Sequence, residues 1–258
     1  MTKSSKTTAQ VALLLAATFT GSAVMAQAKA PEPDYTLSYN VGVVNDYRFR
    51  GISQTSFDPA LQGGVDFSHK GGFYAGAWLS NVKWIKDYLG ATDGSYEIDL
   101  YGGFKGEIAK DFGFDIGVIA YQYPGNTASA AGYANANTFE IYGALTYGPA
   151  TVKYSRSTGD FIGNLNSSGS GYLEAAATFD LGNGFSVTPH IGRQSIPNQA
   201  GNNGDYTDYS LSVAKDFGNG FVVTGTLIGT DAKTSFYTDL NGRFLGKDTI
   251  VVGLKYSF

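Results

Sequence analysis

The chain has 258 residues, with 35 glycines, 18 tyrosines and 17 phenylalanines against seven prolines, two histidines and no cysteine. Glycine at about twice its usual share, without a G-X-Y period and costing about 1 kcal/mol at each helix-interior position, excludes collagen and a helix-rich enzyme. A net charge of −4 with singly scattered lysines lacks the basic footprint of a nucleic-acid binder, and the missing cysteines rule out disulfides as a source of stability.

The N-terminus is set aside first. Lys3 and Lys6 precede the apolar run Val11 to Thr20, and small residues follow with an A-x-A pattern at Ala26, Gln27 and Ala28. This is the layout of a secretory signal peptide, and the run is too short for a spanning helix. The expected organisation is a signal peptide over 1–28, a short periplasmic N-terminal segment over 29–34 and one domain over 35–258. Cleavage is placed after Ala28, with Ala26 as the alternative.

From Tyr35 onward the repeating signal is a two-residue alternation, the period of a half-buried strand. Tyr35, Leu37, Tyr39, Val41 and Val43 share one face, and the pattern runs on through Tyr47 and Phe49 opposite Arg48 and Arg50. It is read as one long strand followed by a short polar loop. Leu61 to Phe67 and Phe73 to Ser80 repeat it around the turn HKGG. Further strands are predicted at 95–106, 112–122, 137–147, 150–157, 171–180, 185–194, 206–216, 221–230 and 249–258, twelve in all. Tight turns (HKGG, AKDFG, YGP, LGNG, DFGNG) alternate with longer Gly-, Asn- and Ser-rich links near 82–94, 123–136, 158–170, 195–205 and 231–248.

An even strand count, alternating short and long connections and strand lengths near 9 to 11 residues describe a bacterial outer-membrane barrel. Only a closed barrel lets β structure cross hydrocarbon with every backbone group paired. Tyr35, Tyr39, Phe67, Phe73, Tyr96, Phe104, Phe112, Phe139, Tyr147, Phe179, Phe185, Tyr209, Phe221, Tyr256 and Phe258 supply interfacial girdles. A soluble sandwich would carry lysine and glutamate on the opposite faces, which here hold mainly Gly, Ala, Ser, Thr and Tyr. The fold class is therefore all-β, a transmembrane antiparallel up-and-down β-barrel of 12 strands. The last strand ends on Tyr256 and Phe258, resembling the terminal assembly signal of many such barrels.

The segment N-D-Y-R-F-R-G-I-S-Q-T, Asn45 to Thr55, followed by P-A-L-Q-G-G-V-D-F, Pro59 to Phe67, resembles the uncharacterised proteobacterial family Gcw_chp. Asn45 stands where a Ser or Thr often precedes D-Y in that family. The resemblance is specific over Val41 to Val82 and implies an exported outer-membrane barrel. It carries over no substrate and no catalytic residue.

The strand phases send Arg48, Arg50, Asp66, Glu97, Asp99, Lys105, Asp115, Glu140, Lys153, Glu174, His190, Asp208 and Lys255 into the lumen. Such mixed charge serves either a cross-strand network or a polar path for small solutes. Arg48 and Arg50 suit an anionic group, or else structural pairing with Asp46, Asp66, Glu97 or Asp99. Two function classes follow: an outer-membrane channel for small polar or anionic solutes, and a non-conducting structural or surface-binding barrel using the loop aromatics Trp84, Tyr88, Tyr123, Tyr133, Phe161 and Tyr237. The expected partners are outer-membrane lipids and the barrel assembly machinery. A hydrolase built on His190 lacks a G-x-S-x-G elbow, the DFG strings at Asp111 and Asp216 are turns, and neither cofactor nor metal spacing is present.

Overall fold

The computed structural model describes residues 33–258. The signal peptide, its cleavage site and most of the expected periplasmic segment lie outside them. The strands are β1 (Tyr35–Val44), β2 (Arg48–Phe49), β3 (Ile52–Ser53), β4 (Ala60–His69), β5 (Phe73–Asn81), β6 (Tyr96–Ala109), β7 (Phe112–Gln122), β8 (Thr138–Tyr147) and β9 (Ala150–Ser157). They continue as β10 (Gly171–Ala177), β11 (Phe179–Gly182), β12 (Phe185–Ser195), β13 (Tyr206–Asp216), β14 (Phe221–Thr230) and β15 (Thr249–Ser257).

All but β2 and β3 form one closed antiparallel ring of twelve staves. Each strand pairs with its sequence neighbour, β10 and β11 being two halves of one stave on β12. The break falls at Thr178, whose N–H donates to Pro149 O at 2.9 Å. The seam joins first strand to last, Val43 facing Leu254. Closure leaves no ladder edge unpaired, which is the condition for residence in hydrocarbon.

Alternation decides what faces where. Leu37, Leu61, Leu100, Ile141, Leu211 and Leu254 are exposed on the outside, a continuous apolar band that water would penalise and acyl chains do not. At the short-turn rim it meets a girdle of packed rings: Tyr35 on Phe67 at 5.9 Å, Phe73 on Phe104 at 4.9 Å and Phe221 on Tyr256 at 4.5 Å between centroids.

Inside, glycine and aromatic residues are matched across the ladder. Trp78, Tyr101, Tyr74 and Tyr142 stand directly opposite Gly64, Gly76, Gly103 and Gly117. A Cβ at Gly76 would lie 2.5 Å from the Tyr101 ring, and one at Gly117 2.5 Å from the Tyr142 hydroxyl. Each ring therefore lies flat over a missing side chain, as aromatic cover of strand glycines requires. This fills the β4–β8 side of the lumen, while the β12–β15 side carries the small residues Thr188, Ser210, Ser212, Thr224 and Thr226.

Two expectations change. The first strand ends at Val44, not Phe49, because Asn45 caps it: its Oδ1 accepts from Val252 N at 2.8 Å and its Nδ2 donates to Ile250 O at 3.3 Å. The link after it is not a short polar loop. Residues 45–59, hereafter L1, turn inward and carry the small β2–β3 hairpin.

Candidate functional site: the lumen and its inward-folded first loop

L1 is organised by Asp46, buried to 3% exposure. Its carboxylate accepts from Ser53 Oγ at 2.6 Å, Thr55 Oγ1 at 3.4 Å and Arg48 Nε at 2.6 Å. Phe49 pairs with Ile52, so Arg50 and Gly51 form a two-residue turn with φ of 47° and 81°, positive at both positions as in a type I′ turn. Asn or Gly is the inexpensive choice at the first position. Arginine there bears a left-handed backbone cost of about 1–2 kcal/mol, which its side-chain contacts must offset.

Those contacts are on the far wall. Arg50 Nη2 donates to Glu140 Oε2 on β8 at 2.7 Å and Nη1 to Gln194 Oε1 on β12 at 2.8 Å. The guanidinium lies 4.3 Å from the Tyr172 ring centroid and 4.7 Å from that of Phe49, adding cation–π attraction. Glu140 is fully buried, so this is a charge-assisted pair in a low-dielectric setting.

The rest of L1 meets the wall all round. Tyr47 donates to Glu97 on β6 at 3.2 Å and packs edge-on against Trp78 of β5. Phe49 packs against Tyr121 of β7. Gly51 is pressed against Asp208 of β13 and Thr230 of β14, where a Cβ would come within 2.7 and 2.6 Å of their side chains. Arg48 Nη1 donates to Gly51 O, and to Leu245 O and Lys247 O of the last loop, at 2.8, 3.0 and 3.2 Å. L1 is a stopper across the lumen.

Above it the other long loops form a packed lid. Trp84 and Ile85 in the single-turn helix α1 (Trp84–Asp87) bury against Tyr123 and Tyr47. Tyr237 in α2 (Thr234–Tyr237) buries with Ile52, Tyr206 and Leu245. Arg243 ties three loops together through Asp239 at 2.8 Å, Asp87 at 2.9 Å and Ser56 O at 3.3 Å. Trp84, Tyr123, Phe161 and Tyr237 are thus interior side chains, not exposed recognition contacts; Tyr133 stays exposed at 39%.

Below L1 lies a cavity of about 460 Å³. Arg48, Arg50, Lys153, Glu174, His190, Asp208 and Lys255 line it, with Trp78, Tyr101, Tyr121 and Tyr172 along one side. His190 Nε2 lies 3.2 Å from Glu174 and Nδ1 3.5 Å from Asp208, and Tyr172 donates to Asp208 at 2.9 Å. Lys153 sits with its ammonium 4.3 Å from the Tyr142 ring centroid. A second cavity of about 260 Å³, nearer the short-turn rim, holds Asp66, Lys105 and Asp115. Asp66 accepts from Tyr101, Asp115 from Tyr74 at 2.5 Å, and Lys105 lies over the Tyr74 ring.

All thirteen residues assigned to the lumen thus point inward, in three groups: Arg48 and Arg50 in the stopper, Glu97, Asp99 and Glu140 buried around it, and the others below. The partner of Arg50 is Glu140, not one of the four acids nearer in sequence. Tyr121, Tyr172 and Gln194, which seat Arg50, were missed, although their strand phase alone places them inside. Tyr256 and Phe258 lie at the seam, where Phe258 stacks on Tyr39 and exchanges two backbone hydrogen bonds with it. Among the described residues no group of three or more His, Cys, Asp or Glu side chains is arranged to hold a metal.

The pattern of a family described as a bacterial protein of unknown function (Gcw_chp) matches residues 27–258. No curated protein matches the chain in sequence. Among solved structures it is similar to the KdgM porin, determined in complex with disordered oligogalacturonate, with a TM-score of 0.53, 7% identity and coverage of 86% of this chain and 98% of that one. The NanC porin is similar at a TM-score of 0.51 and 9% identity, over 86% and 99% of the two chains. At these identities the likeness is one of fold.

Proposed function

Because the chain belongs to the Gcw_chp family, whose description names no activity, its role is read from its own lumen, and we propose an outer-membrane channel for small polar solutes that L1 holds shut. The observation that carries this is the cavity of about 460 Å³ within the barrel wall, lined by charged and hydroxyl side chains among the aromatic rings and stopped at one end by L1. A barrel needed only as a scaffold gains nothing from a charged, hydroxyl-lined hollow, since apolar filling would be more stable than unpaired polar surface. The likeness in fold to two barrels named as porins supports the reading. So does the exterior, an apolar band with an aromatic girdle suited to outer-membrane lipid.

In this reading Arg48 and Arg50 fasten the stopper, and solutes pass along the β12–β15 wall, where the side chains are small. The test is conductance of the purified barrel in planar bilayers, beside a variant in which residues 46–58 are replaced by a short Gly-Ser link. Wild type should open rarely and the unplugged barrel persistently. A correctly folded, unplugged barrel that passes no ions would refute the channel. The second reading, a non-conducting barrel, is favoured by the packed apolar lid of Trp84, Ile85, Tyr123 and Tyr237, and that result would establish it.

A further inference from the structure

We propose that the cavity beneath L1 is a binding site for a small organic carboxylate, with Lys153 as its principal cation. The proposal deepens the channel reading by naming a solute class, and it rests on how the charges of the cavity are already committed.

Arg48 directs Nε to Asp46 and Nη1 to the carbonyls of Gly51, Leu245 and Lys247, which leaves only its buried Nη2 without a hydrogen-bond partner among the described residues. Arg50 gives Nη1 to Gln194 and Nη2 to Glu140. The carboxylates are engaged as well: Glu174 faces His190, and Asp208 takes the Tyr172 hydroxyl and faces His190 from the other side. Lys153 is different. Among the described residues no carboxylate lies within 4.0 Å of its ammonium, which rests on the face of Tyr142; Glu174, its cross-strand neighbour on β10, acts on it only from beyond that distance. An ammonium held against a ring keeps N–H donors pointing away from it, here toward the hollow that Lys153 lines. Lys255 lines the same hollow from β15.

The remaining wall supplies hydroxyl donors, Thr188, Ser210 and Thr224 among them. A carboxylate accepts through two oxygens and has no proton to give, so ammonium and hydroxyl donors are what it needs. The volume lies within the usual range for small-molecule sites and takes an acid of a few carbons. Of the two arginines most suggestive of anion binding in the sequence, Arg50 is spent on the wall and Arg48 keeps only a buried Nη2, so the principal ligand-facing charge is a lysine on a stave.

The test is isothermal titration calorimetry of the detergent-solubilised full chain with sodium succinate, against sodium chloride at equal ionic strength and against erythritol as a neutral control. Saturable succinate binding is expected, weakened at least tenfold by Lys153→Gln and largely restored by Lys153→Arg, with heat-modifiable gel mobility confirming that each variant is folded. Succinate binding no tighter than chloride, or unchanged in folded Lys153→Gln, overturns the proposal. Binding without conductance in the unplugged barrel would uphold the site and refute the channel. Conductance without succinate binding would do the reverse.

Discussion

Replacing Arg50 by Asn should unseat L1 without disturbing the barrel wall. The change removes the 2.7 Å pair with Glu140, whose carboxylate has no exposed surface. Stripping one partner from a buried pair costs about 3–5 kcal/mol, because the other charge is left uncompensated. Against this, Asn occupies the left-handed position of the turn with little strain, returning about 1–2 kcal/mol. The net is about 1–4 kcal/mol against the seated loop. At about 1.4 kcal/mol per decade, this is roughly a 5- to 700-fold shift toward the unseated state. Single-channel recording should show a matching rise in open probability, with folding verified by gel mobility. Adding Glu140→Gln removes the stranded charge and should recover part of the effect. If folded Arg50→Asn opens no more often than wild type, Arg50 is not the latch.

Other consequences are independent of the latch. Gly103→Val would drive a Cβ into the Tyr74 hydroxyl and to 2.5 Å from Ile116 O; the overpacking should cost about 1–3 kcal/mol, read as a lower temperature for the heat-modifiable gel shift. Gly225→Ala, with nothing within 4 Å of the new methyl, should leave that temperature unchanged. Deleting Phe258 removes both backbone bonds to Tyr39 and two ring stacks, and should lower the fraction of chains inserted as folded barrel; full insertion would discount the seam. Burial raises the phenols of Tyr88 and Tyr237 in the lid. Their contribution is therefore complete below about pH 10, the unfolded value, and is lost as pH rises through the higher folded values. Tyrosinate absorbance should appear late, together with tryptic cleavage of the loops.

The wall was legible because lipid outside and water inside impose one strict period. Tyr206–Asp216 and Phe221–Thr230 are found where the alternation places them. L1 was not, because Tyr47, Arg48, Phe49 and Arg50 keep the same two-residue period whether they climb the wall or cross the lumen. The clue was R-G between R-F and I-S, a hairpin turn written with arginine in place of asparagine. The lid was hidden for another reason: Trp84 and Ile85 lie in one link and Leu245 in the last link of the chain, and only the closed ring brings those links together. The pairing of Arg50 with Glu140, 90 residues apart, has no local signature at all.

The hold of the last loop on Arg48 bears on the order of assembly. The carbonyls of Leu245 and Lys247 lie 197 and 199 residues downstream of Arg48, in the link between the last two strands. Such distant contacts form late, since the intervening chain must first be brought together. During insertion, then, Arg50 can seat against β8 and β12 before the last hairpin arrives, and that hairpin both seals the seam and completes the hold on Arg48. A barrel arrested before that hairpin joins would be a leaky one.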